Sequence, residues 1–410
     1  MSGAGRGGPG ARCLPLSRQA RLRSAAALRP GRDREGRAVD HATRERIRTT
    51  RDAPHVRDGL DLRRAYAALA LAVLPCVLVG IPNVGWQVLS AVDVEGLDAP
   101  PGWRGAVLDV FGLGADVDSP LAWWLCGLLH VLPVIGVAVA TGLLWQHLFA
   151  ARRGRTAGPG VAVLMAMLAL LLPPAIPLWQ VALGASFAVV VGIEIFGGLG
   201  RHVVHPVIVG FTFLYFTYPA SFSGEGVWVG VPDAEAMPTL SAVAQDGIDA
   251  LGVIDATWRD TLLGWEPGAP GETSALACAL GAAWLLYAGL ASWRVVAGGV
   301  LGLVAAAWVA NTLGDPTRPV VGLPVSWHLT SGSFAFALAF LATDPVTSPL
   351  TGAARLAYGV LVGLLVVLIR VFNPAHPEGV PLAILLGNVL APLLDHGVVR
   401  VHVLRRRRRG

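Results

Sequence analysis

Asp344 and Asp395 stand where carboxylates are costly. Asp344 closes an apolar run in Ala342-Thr343-Asp344-Pro345, and Asp395 lies within Leu390-Ala391-Pro392-Leu393-Leu394-Asp395-His396. A carboxylate in or beside membrane hydrocarbon costs roughly 2.5–3.5 kcal/mol on insertion scales, so each is expected to face a cavity, a partner charge or an ion. Pro345 should stop or bend a helix and free its carbonyls. With Thr343, Thr347 and Ser348 nearby, Asp344 offers hard oxygen ligands to a small cation. Asp395, beside His396 at the end of an apolar span, reads as a second ion station or a proton-exchange pair. Solvated helix-end charges are the plainer account of both. Two imidazoles recur at i, i+3 in His202-Val203-Val204-His205-Pro206. That spacing predicts rings on one helical face, able to donate or accept hydrogen bonds. Their plainer account is a pair of interfacial histidines beside a basic loop. No Cys or carboxylate stands at local spacing to complete a metal site, so no metal ligands are assigned.

These residues must be positioned by membrane helices. The 410-residue chain is 54% hydrophobic and only 14% charged, against about 25% charged in a soluble domain. Its net charge of +5 does not point to nucleic acid. The arginines gather in the N-terminal arm, in short loops and in the run Arg405 to Arg409, where basic residues fix membrane orientation or meet lipid. The four cysteines, Cys13, Cys76, Cys126 and Cys278, are scattered with no C-x-x-C spacing, so neither a zinc nor an iron–sulfur motif is present.

Apolar windows long enough to cross predict about ten transmembrane helices in an all-α, polytopic membrane protein. They run over 66–84, 121–150, 160–172, 178–196, 206–222, 274–290, 295–313, 323–341, 354–372 and 380–399. The third ends in Pro173-Pro174 and is expected to be kinked, broken or re-entrant. Basic loops alternate with acidic ones, 93–118 and 233–272. With ten crossings the basic loops share one side, which puts both termini in the cytoplasm of a bacterial inner membrane. The domains are then a disordered basic arm over 1–50, a first membrane half over 51–222 and a periplasmic loop over 223–272. A second half over 273–400 and a basic tail over 401–410 complete them. A five-helix unit repeated once must be inverted in the membrane. Two kinked helices in an unrelated bundle are the competing account.

An ordered set of segments resembles the B subunit of the sodium-translocating NADH:quinone reductase and, more distantly, the D subunit of the Rnf complex. The set begins at Ala53-Pro54-His55-Val56-Arg57-Asp58 and Asn83-Val84-Gly85. It continues through the run from Leu172-Pro173-Pro174 to Ala182-Leu183-Gly184, then Phe196-Gly197-Gly198 and Tyr218-Pro219-Ala220. Gly271-Glu272-Thr273-Ser274, Ala291-Ser292-Trp293-Arg294 and the C-terminal block around Asp344, Glu378 and Asp395 complete it. The resemblance implies a membrane subunit that relays electrons through flavins to ubiquinone and couples this to export of Na+ or H+, in complex with other subunits that carry the NADH chemistry. This chain has no dinucleotide fingerprint of its own.

The resemblance also implies sites. FMN would be tethered through its phosphate to Thr239, with Asp233 as the other fixed point of the flavinylation motif. Between them Ala236, Met237 and Pro238 replace the family's Ser/Thr, Gly and Ala, so the free glycine is lost and the following Pro238 fixes φ instead. A non-covalent riboflavin would meet His202 and His205, which stand where the family has two asparagines. A quinone site would involve Gly142, Leu143 and Gln146, the last replacing a family glutamate. Ion coupling would fall to Asp344 and Asp395. An Rnf-like subunit, and a flavin-free channel or transporter on the same scaffold, are the alternatives.

Overall fold

The computed structural model describes residues 62–408 except 115, 224, 225, 232, 233, 235, 316 and 375. The N-terminal arm, the 53–58 motif and Asp233 lie outside the described residues.

Every apolar window emerges as helix. The first half holds α1 (Leu62–Val94), a short surface helix α2 (Trp103–Val110), α3 (Pro120–Arg153), α4 (Gly160–Leu170), α5 (Leu178–Val189) and α6 (Pro206–Thr217). α5 ends in a π-helical turn, Val190–Glu194. Three short helices follow in the loop: α7 (Thr239–Asp246), α8 (Ala250–Val253) and α9 (Trp258–Leu263). The second half holds α10 (Ala275–Tyr287), α11 (Trp293–Leu313), α12 (Val325–Thr330), α13 (Phe334–Phe336), α14 (Gly352–Phe372) and α15 (Val380–Arg407). α13 also runs into a π-helical turn, Ala337–Leu341. Five helices, α1, α3, α11, α14 and α15, are long and apolar enough to cross a membrane alone, and α4, α5 with its turn, α6 and α10 are shorter apolar helices.

The halves share a packing relation. α3 and α5 run parallel: Trp145 Nε1 donates to Ser186 Oγ at 2.8 Å and Arg153 Nη1 to Glu194 Oε2 at 2.6 Å, a constant offset along both chains. α11 and α14 are likewise parallel, with Gly298, Gly299 and Gly302 against Gly359 and Gly363, so that backbone touches backbone. The first helices of the two halves, α1 and α10, run antiparallel. Cys76 Sγ lies 3.7 Å from Cys278 Sγ, and Trp284 Nε1 donates to the Ala68 carbonyl at 3.2 Å. This is the relation an inverted repeat requires.

Two breaks interrupt the bundle. The first, Pro173-Pro174-Ala175-Ile176-Pro177, was expected. Its three prolines carry no N–H, which reduces the donors needing partners, and the Leu170 carbonyl accepts from Gly271 N at 2.8 Å. The second corrects the single helix expected over 323–341. That stretch splits at Ser331-Gly332-Ser333, with Gly332 at φ +70°. Fully buried Arg370 donates to the carbonyls of His328 (2.7 Å) and Ser331 (3.0 Å). Glu378 accepts from Ser333 N (2.9 Å) and Oγ (2.8 Å). One charged side chain serves each polarity of freed backbone group.

The glycine seam gives the first prediction. A methyl on Gly363 would overlap the Gly299 carbonyl, whereas one on Gly136 in α3 meets nothing within 4 Å. Gly363→Ala should destabilise by about 1–3 kcal/mol through overpacking. Gly136→Ala should be neutral or stabilising by up to about 1 kcal/mol. Unfolding of both variants in detergent checks the contrast.

Candidate functional site

The segment 195–205 is turned by Gly197, Gly198 and Gly200, all at positive φ, and is anchored by the Arg153–Glu194 pair at its start. Pro206 at the first position of α6 holds His205 extended, at φ −62° and ψ 122°. The two histidines therefore do not share a helical face. His202 lies in the coil and His205 caps a helix, with ring centroids 6.4 Å apart and nearly perpendicular. The i, i+3 expectation failed because the helix begins only after the second histidine.

The structure instead brings His202 to Asp344. His202 Nε2 lies 3.2 Å from Asp344 Oδ2. Thr347 donates to the same oxygen from its backbone N (3.2 Å) and Oγ1 (3.1 Å). Thr343 turns away, its hydroxyl donating to the Ala339 carbonyl at 2.6 Å in the π-helical turn. The contact joins the segment after the first half's π-helical turn to the segment after the second's. Nδ1 of both His202 and His205 is buried with no partner among the described residues. His205 and Asp344 face a small cavity whose apolar walls include Leu62, Tyr66, Leu164 and Phe340. An aromatic and aliphatic slot with an imidazole and a carboxylate at one edge fits a flat, hydrogen-bonding heterocycle.

A second cavity, of about 900 Å³, is lined by Leu143 and Gln146 together with Arg63, Tyr66, His147 and Pro159. Gln146 Nε2 donates to the Gly158 carbonyl at 2.9 Å, while its Oε1 is buried and unpaired among the described residues. Gly142 is not in the wall; it lets Met165 pack against α3.

Asp395 stands apart from Asp344. It sits inside α15, which continues to Arg407, and accepts from Leu350 N (2.7 Å), Thr351 N (2.9 Å) and Thr351 Oγ1 (2.7 Å). It thereby anchors the two residues that lead into α14. The expectation that the span ends at Asp395 is corrected.

Thr239, at the start of α7, is buried, and its hydroxyl donates to Glu266 Oε2 at 2.7 Å. The Glu266 carbonyl in turn accepts from Asn83 Nδ2 at 2.9 Å. Beside it lies a third cavity, of about 950 Å³, with Phe211, Tyr215, Phe222 and Trp228 in its walls and Glu272 and Glu378 at its edge. Met237 and Ser241 line that cavity; Thr239 does not. The aromatic walls fit a flat ring. The Thr239 hydroxyl as placed does not fit a phosphate ester, because a buried carboxyl already occupies it. Sequence reasoning missed Glu266 as a partner, since nothing local links positions 27 residues apart.

Comparison with known proteins gives one consistent answer. A family model described as "NQR2, RnfD, RnfE family" matches residues 49–403. The B subunit of the Na(+)-translocating NADH-quinone reductase of Azotobacter vinelandii is 42% identical over 371 residues, which is 90% of this chain and 92% of that one. Its counterpart from Pseudomonas aeruginosa is 43% identical over 362 residues, 87% and 89% of the two chains.

Glu266 supplies a pH prediction. It lies between α9 and α10, outside the spans. Burial pushes its carboxyl from the ordinary 4.5 up to about 8, with the Thr239 hydrogen bond pulling the other way. Between those values the folded chain holds a proton that the unfolded chain releases. Stability from this group is full below about 4.5, falls as pH rises to about 8, and is flat above. Glu266→Gln keeps an acceptor for Thr239 and cannot ionise. It should melt with the wild type at pH 5 and above it at pH 9; an unchanged difference across that range would show that Glu266 does not titrate there.

Proposed function

The chain belongs to the NQR2, RnfD, RnfE family, and on that premise we propose that it is the membrane subunit of an NADH:quinone reductase that couples electron transfer to ubiquinone with export of Na+ or H+. The single observation that carries the reading is the His202–Asp344 contact between the two halves, beside the slot that fits a heterocycle.

In this reading the unpaired histidine nitrogens and the His205 edge of the slot hold a riboflavin, which when bound supplies reversible electron transfer. His202 and a small cation compete for Asp344. Where His202 holds the carboxylate the cation is excluded; where it turns aside, the carboxylate and the Thr347 hydroxyl oxygen are left to a hard cation. The larger cavity beside Leu143 and Gln146 takes the quinone head, with the unpaired Gln146 oxygen accepting from the hydroxyl of the reduced form. Asp395 contributes by holding the other end of the Asp344 segment.

Thr239 as the FMN anchor belongs to the same proposal on one condition: the Thr239–Glu266 bond must open. Intact-protein mass from a host with the flavin transferase decides this. A gain of one FMN less water, lost in Thr239→Ala, supports the tether; an unmodified mass leaves any flavin on this chain non-covalent. The buried Thr239 is also the observation that favours the second reading, a flavin-free transporter on the same scaffold. In-gel flavin fluorescence separates the two.

Two outcomes are expected. In the assembled complex, Asp344→Asn should raise the Na+ concentration needed for half-maximal quinone reduction by about tenfold, the loss of roughly 1.4 kcal/mol of binding. The double variant His202→Ala/His205→Ala should lower bound riboflavin without loss of assembly. Unchanged Na+ dependence together with full riboflavin would sink the reading. Loop charge further places both termini in the cytoplasm, so reporter fusions at Arg153 and Gly230 should report opposite faces.

A further inference from the structure

Two cavities flank the first turns of α1, and Tyr66 is the one described residue that lines both. Helical periodicity explains the arrangement. Arg63, Tyr66, Ala67 and Ala70 form a stripe facing Leu143 and Gln146. Leu62, Ala65, Tyr66 and Leu69 form the adjacent stripe facing His205 and Asp344. Tyr66 stands where the stripes meet.

The ring is held in place. It is 9% exposed and packs over Gly160, where any side chain would overlap its carbons. Gln146 lines the cavity on one side and His205 the cavity on the other, and Gln146 Oε1 and His205 Nδ1 are unpaired among the described residues. The groups that face Tyr66 and carry or can take charge are Arg63 on its own helix, His147 from α3, His205 from the segment before α6, and Asp344 after the π-helical turn. α4 presents only Gly160, Val163 and Leu164 to this region. A phenol donates and accepts at one oxygen and stays neutral at physiological pH. It can therefore move a proton through an apolar partition without a charge being buried there.

We propose that the Tyr66 hydroxyl is the proton donor to the quinone oxygen and the proton link between the two cavities. The proposal rests on the reading of the Leu143–Gln146 cavity as the quinone site. Reduction of the quinone to the hydroquinone takes two electrons, supplied by the reduced flavin of the assembled enzyme, and two protons. Tyr66 gives its hydroxyl proton to one quinone oxygen as that oxygen gains electron density, forming the new O–H bond. It takes a replacement from the His205/Asp344 side and ends the cycle unchanged. The second proton enters from water on the His147 side. Quinone protonation is thereby tied to the state of Asp344, the residue at which the cation competes.

The test uses the assembled complex. Tyr66→Phe keeps the ring and its packing and removes only the hydroxyl. It should lower kcat for quinone reduction about 100-fold, the low end of general-acid contributions, with KM for the quinone within about twofold. It should also change the solvent deuterium isotope effect on kcat. Because Asp344 acts through the same proton path, Tyr66→Phe/Asp344→Asn should be no slower than the slower single variant. Wild-type kcat and isotope effect in Tyr66→Phe would overturn the proposal, as would losses that multiply in the double variant. Gln146→Ala separates the two layers. A raised quinone KM there, with Tyr66→Phe at wild-type rate, removes Tyr66 alone. An unchanged quinone KM and inhibitor affinity in Gln146→Ala removes the quinone cavity, and the proton donor falls with it.

Discussion

The buried Arg370–Glu378 clamp is the interaction on which the second half depends. Hydrocarbon offers no hydrogen bonds, so a helix broken within it must find partners for every N–H and C=O it frees. At Ser331-Gly332-Ser333 the break leaves carbonyls pointing one way and N–H groups the other. Arg370 answers the carbonyls and Glu378 answers Ser333. Each charge is spent on backbone dipoles, and the two are close enough for Glu378 to support the buried guanidinium electrostatically. Removing Glu378 would leave the fully buried Arg370 guanidinium without its nearby carboxylate and Ser333 N–H without a partner, the costly case for buried polar groups.

The first half meets the same constraint differently. Prolines at 173, 174 and 177 delete donors instead of satisfying them, and Gly271 reaches in to cap Leu170. The 223–272 segment is thus packed into the helix bundle, which accounts for the burial of Glu266 and Thr239. Each broken limb ends in a π-helical turn and then an irregular segment. His202 comes from one such segment and Asp344 from the other. The candidate ion site therefore lies where the segments after the two π-helical turns meet, with different residues placed on each.

The sequence made the helices legible because apolar windows average over many residues. The same averaging hid the second break: Ser331, Gly332 and Ser333 are small and barely depress the mean hydropathy of their window, whereas three prolines cannot be missed. His202 and His205 were legible as a pair and misread in geometry, since three upstream glycines and Pro206 decide where the helix starts. Asp344 and its threonines were found from local chemistry, and Thr347 is where that chemistry put it. His202 as its partner was not, because the contact spans 142 residues of chain. Asp395 was recognised as a costly carboxylate, but its partners Leu350 and Thr351 belong to the start of another helix. Local spacing reports what a residue offers; only tertiary packing decides what takes the offer.

That distinction changes how the two aspartates work together. They hold opposite ends of one segment, Asp344 against His202 and Thr347, and Asp395 against the backbone at Leu350 and Thr351. Asp395 accepts from the N–H groups of Leu350 and Thr351, the two residues that lead into α14, and its charge suits a helix N-terminus, so it fixes where α14 begins. α14 is in turn packed against α11 along the glycine seam. In the proposed reading a cation at Asp344 would displace His202, which belongs to the glycine-turned segment 195–205. That segment leads directly to His205, at the edge of the cavity that Tyr66 lines. A change at the proposed ion site would thereby reach the wall between the two cavities.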